Sequence, residues 1–93
     1  MITLAAVLSR LPALDEPQLL LWIEQDWVRP MRRSGELLFE EIDFARLRLI
    51  LELRELEVGD GAMPVVLSLL DQLHATRRQL WRIVQTLERD RPG

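Results

Sequence analysis

The chain has no cysteine among its 93 residues. That removes disulfides, thiol catalysis and thiolate metal ligation together, and makes a reducing cytoplasm the expected setting. Lysine is absent too. All 12 basic residues are arginine, against 15 acidic ones, for a formal net charge of −3. Phosphate neutralisation shows as a basic domain, so this balance argues for a basic protein partner over nucleic acid. No apolar run approaches the roughly 20 residues that a bilayer span requires. The N-terminal run Ile2 to Leu8 lacks a basic flank and is cut by Arg10, so it reads as a first amphipathic helix and not as a signal peptide.

Catalytic chemistry is equally sparse. The one histidine, His74, has only Arg77 and Arg78 at helical spacing, and cations there oppose metal binding. Ser9, Ser34 and Ser68 have no histidine or lysine placed to activate them, and no Gly-x-Ser-x-Gly elbow occurs. The turn Gly59-Asp60-Gly61 lacks the further glycines and the lysine of a phosphate loop. A non-enzyme with no cofactor and no metal is expected.

What is present is a mainly helical domain. Hydrophobic residues make up 48% of the chain, enough for one core. A first helix is expected from Thr3 to Leu11, stopped by Pro12. Asp15 is a suitable N-cap for a second helix from Pro17 to about Asp26, with Leu19, Leu20, Ile23 and Trp27 at helical spacing. Two short strands, Trp27 to Arg29 and Glu36 to Phe39, are expected around the Ser34-Gly35 turn. A strong helix then runs from Glu41 to about Val58, with Phe44, Leu47, Ile50, Leu51 and Leu53 as its apolar face. The acids Glu40 and Glu41 suit its N-terminus. Trp22 and Trp27 read as packing residues.

The last segment is the most regular. Met63, Val66, Leu70, Leu73, Arg77, Leu80, Val84 and Leu87 alternate steps of three and four, a heptad seam with one arginine on it. A helix from Met63 to Arg89 spans about 40 Å, more than the rest of so short a chain can cover. Its far half is therefore expected to pair with a second copy through Leu73, Arg77, Leu80, Trp81, Val84 and Leu87. On this reading, residues 1–58 form the compact part and residues 59–93 a helical dimerisation segment of the same single domain.

The order of parts then resembles a known family. A short helix, a turn, a second helix ending in Ile23-Glu24-Gln25-Asp26-Trp27-Val28-Arg29-Pro30, a small wing, and the run from Leu38 to Arg48 (Leu-Phe-Glu-Glu-Ile-Asp-Phe-Ala-Arg-Leu-Arg) resemble the MerR-type winged helix-turn-helix. Within that superfamily the chain is most similar to the chaperone-modulator branch, the CbpM-like proteins. The shared cues are Leu14-Asp15-Glu16-Pro17, the run Leu49 to Leu56 ahead of Gly61, and the apolar run Val65 to Leu73 with its Asp71. The resemblance implies a two-stranded wing, a dimer through the C-terminal helix, and binding to the J-domain of a DnaJ-like or CbpA-like co-chaperone, restraining its stimulation of a DnaK-type chaperone. It also implies a basic J-domain helix as the client surface. Glu52, Glu55, Glu57 and Asp60, with Val65 and Leu69 as apolar anchors, are the expected docking face; Trp22, Glu24 and Asp26 are the rival face.

One departure from the MerR pattern favours that branch. A MerR recognition helix carries arginines where this chain has Gln18 and Leu21, and no arginine or lysine occurs from Asp15 to Val28. Base readout and phosphate grip both need donors and positive charge there. The alternative, a MerR-like DNA-binding transcription regulator, rests on Arg29, Arg32 and Arg33 around the wing.

Overall fold

The computed structural model describes residues 1–90, and the chain divides into two compact units, Met1–Asp60 and Gly61–Gly93. The described residues are mainly helical, with a small antiparallel sheet and a long C-terminal helix. The first unit runs β1 (Ile2–Thr3), α1 (Leu4–Arg10), α2 (Glu16–Glu24), β2 (Met31–Arg33), β3 (Glu36–Phe39) and α3 (Glu41–Glu55); the second holds α4 (Met63–Arg89). No helix among the described residues is long and apolar enough to cross a membrane.

The helix starts follow from side-chain capping. The Thr3 hydroxyl accepts from the Ala6 N–H at 3.2 Å, and the Asp15 carboxylate accepts from the Gln18 N–H at 2.9 Å, each satisfying a donor that the first turn leaves open. At α3 the reach is reversed: the Glu40 N–H donates to Asp43 Oδ2 at 2.9 Å. α4 carries Pro64 in its first turn, where the missing N–H costs nothing.

The sheet departs from the expected two-stranded wing in two ways. It has three strands in the order β1-β3-β2. Ile2 and Thr3, expected within the first helix, pair instead with Phe39 and Leu38, and the helix starts at Leu4. The wing's first strand also moves from Trp27–Arg29 to Met31–Arg33. Ser34 at φ 53° and Gly35 at φ 79° form a two-residue turn with both φ values positive, the hairpin type whose twist matches the strands. That turn forces Arg33 opposite Glu36, Arg32 opposite Leu37 and Met31 opposite Leu38. The pairing runs no further than Met31 opposite Leu38, and Pro30 precedes it on this edge strand.

Trp27 and Val28 are released from the sheet and buried. After α2 the chain passes through Asp26 in the left-handed region, φ 62°. The Asp26 N–H donates to the Ile23 carbonyl and the Trp27 N–H to the Trp22 carbonyl. This is the Schellman closure, whose usual apolar contact joins the residues at its two ends. Here those residues are Trp22 and Trp27, with ring centroids 6.0 Å apart. Arg54 lies over the Trp22 ring at 5.6 Å, and the Arg46 Nε donates to the Trp27 carbonyl. Around the pair the core gathers Val7, Leu11, Leu14, Leu19, Phe39, Leu47 and Ile50.

The same closure ends α3 earlier than the expected Val58. Leu56 caps it, Glu57 stands at φ 65°, and the Glu57 and Val58 N–H groups donate to the Arg54 and Leu53 carbonyls. A left-handed non-glycine residue costs roughly 1–2 kcal/mol, and Glu57 is exposed, with no packing that depends on its side chain. Glu57→Gly is therefore expected to stabilise the protein by about 1 kcal/mol, raising the melting midpoint by roughly 4–8 °C for a chain of this size. An unchanged or lowered midpoint in thermal unfolding contradicts the assignment.

Candidate interaction surface

Several large apolar side chains are exposed although their chemistry favours burial. In α4, Met63 and Leu67 are buried and Val66 and Leu70 partly so. Along a different face run Val65, Leu69, Leu73, Leu80, Ile83 and Leu87, each between 52% and 66% exposed. At about 100° per residue this stripe lies well away from Met63 and Leu67. A monomer rarely leaves so long an apolar row in water.

The expected dimer residues fall on this helix but not on one face. Leu73, Leu80 and Leu87 lie on the stripe; Val84 borders it and is half-buried. Arg77 is exposed on its flank, and Trp81, 62% exposed, projects about 120° from its centre. His74 is exposed as well.

The expected docking face is divided. Glu52 and Glu55 on α3, with Glu57 and Asp60 just after it, belong to the first unit and are all exposed. Val65 and Leu69 belong to the second unit and are part of the α4 stripe. Beside the acids, Leu56 is 75% exposed and Ile42 also projects into solvent. Neither was named from sequence as a surface residue. The signal was there: Ile42 sits about 200° from Phe44 on the helical wheel, off the face that Phe44, Leu47 and Ile50 define.

The rival face is corrected at Trp22. The ring is 1% exposed, held between Trp27 and Arg54, and offers no surface to a partner. Asp26 is highly exposed and lies 4.0 Å from an equally exposed Arg29, a pairing that contributes little in water. The outward face of α2 consists of Pro17, Leu20, Leu21 and Glu24, all exposed. Arg32 and Arg33 on β2 are exposed also, beside Met31. Among the described residues no three His, Cys, Asp or Glu side chains are grouped so as to hold a metal ion.

Compared with protein-family models, curated proteins and solved structures, the chain matches none.

Proposed function

We propose that this protein is a cytoplasmic chaperone modulator, a homodimer built on a MerR-like winged helix-turn-helix, that binds the J-domain of a DnaJ-like co-chaperone and inhibits its co-chaperone activity. The observation that carries the reading is the outward face of α2. In the MerR-like order of parts this is the helix that enters the DNA groove. Here it presents Pro17, Leu20, Leu21 and Glu24, with no cation from Asp15 to Val28. Such a face suits a protein surface, since it has neither the donors for base edges nor the charge for phosphates. The protein acts by occupancy, without catalysis.

The client contacts assigned to this function are Glu52, Glu55, Glu57 and Asp60, with Leu56 as the apolar side chain among them. Opposite charge speeds encounter with a basic J-domain helix, while apolar contact sets the lifetime of the complex. Calorimetric titration with an isolated J-domain tests this. Saturable one-to-one binding per protomer is expected. Glu52→Arg with Glu55→Arg is expected to slow association about tenfold at low salt and to flatten its salt dependence. Absence of heat and of any complex with the wild-type protein contradicts the function. Unchanged binding by the double variant, with loss on Leu20→Arg, moves the docking face to α2.

A second reading, DNA binding, is favoured by the exposed Arg29, Arg32 and Arg33. Three arginines support only a weak, salt-sensitive grip, with a log–log salt slope no steeper than about −3. No protected sequence is expected in a footprint at physiological salt; a defined footprint there favours a transcription regulator.

A further inference from the structure

The stripe on α4 has a period of its own. Val65, Leu69, Leu73, Thr76, Leu80, Val84 and Leu87 follow steps of four, four and three, repeated. Every position recurs after eleven residues: Val65 with Thr76, Leu69 with Leu80, Leu73 with Val84, Thr76 with Leu87. The heptad reading instead runs through Met63 and Leu70, buried and half-buried, and through Arg77. Exposure separates the two: the eleven-residue row holds most of the apolar side chains that lack cover, with Ile83 beside it, and no charged residue.

We infer that α4 pairs with the α4 of a second copy along this eleven-residue row, with Thr76 and not Arg77 on the seam. The inference rests on the homodimer proposed above and gives that dimer its register. The row carries no charge, so a charged client gains nothing from it; its match is another uncharged row of the same period and length, which this chain itself supplies. From Val65 to Leu87 it spans about six turns, or roughly 33 Å. Two such rows face to face remove on the order of 1,200 Å² from water, the lower bound of the roughly 1,200–2,000 Å² typical of specific pairs. An eleven-residue repeat slightly exceeds the 3.6 residues of a helical turn, so the two helices lie nearly straight with a slight right-handed coil. Arg77 then sits at the rim, where its charge stays hydrated. Val65 and Leu69 are covered by the second copy, which leaves client docking to the first unit.

Sedimentation velocity on the full chain, across a concentration series, separates the registers. Thr76→Leu is expected to tighten the dimer about tenfold through the added buried methyl groups, and Arg77→Leu to change it less than about threefold. Thr76→Glu is expected to weaken it more than tenfold, while Arg77→Glu is tolerated. If Arg77→Leu tightens the dimer and Thr76→Leu does not, the seam follows the heptad: the dimer stands and this inference fails. A wild-type protein that stays monomeric at tens of micromolar, an ordinary range for dimer affinities, overturns both.

Discussion

The first unit depends on the closure of α2, where Asp26 turns into the left-handed region and Trp27 folds back onto Trp22. Two hydrogen bonds to the last carbonyls of the helix, at 3.0 and 2.9 Å, fix that reversal. Two of the chain's three tryptophans are thereby brought together in the core. An aromatic pair of this kind contributes about 0.5–1.5 kcal/mol beyond its buried area. Arg46 and Arg54 are brought from α3 to the same place, one to the Trp27 carbonyl and one to the Trp22 ring. The consequence for function is subtractive. Once Leu19 and Trp22 are committed inward, the exposed surface of α2 is what remains: a proline, two leucines and two glutamates.

α4 obeys the opposite logic. Its apolar residues exceed what its buried start uses, and they continue for the helix's full length on a face of their own. Burying a leucine contributes roughly 1.5–3 kcal/mol relative to leaving it in water, so a row of such residues is a large uncollected driving force. Charged residues stand beside the row and not on it: Arg77, Arg78 and Arg82 all project from other faces. That segregation is what the proposed pairing with a second copy requires, and a solvated helix with scattered leucines has no need of it.

Much of this was legible in the residues, and the parts that were not have physical reasons. α4 was expected from Met63 to Arg89 and found at those bounds, because a periodic pattern sustained over many turns is hard to satisfy otherwise. Asp15 was expected to cap α2 and does so. The strand at Ile2–Thr3 was not anticipated: two residues have no periodicity, and their pairing with Phe39 is a long-range event. The first wing strand was misplaced because register is decided by the φ values of Ser34 and Gly35. The end of α3 was overrun because Glu57 takes a position that usually announces itself with glycine. On α4 the residues were read as a heptad alone; that the uncovered apolar side chains Val65 and Leu69 lie off that seam showed only in their exposure. Trp22 could be read as anchor or core until its burial was seen.

The proposed restraint of a J-domain is read in steady-state ATP hydrolysis by a DnaK-type chaperone stimulated by a DnaJ-like co-chaperone. Adding this protein is expected to return the rate to its unstimulated level as it saturates the J-domain, with the chaperone's basal rate untouched. A stimulated rate that stays constant through a large molar excess of the protein contradicts it.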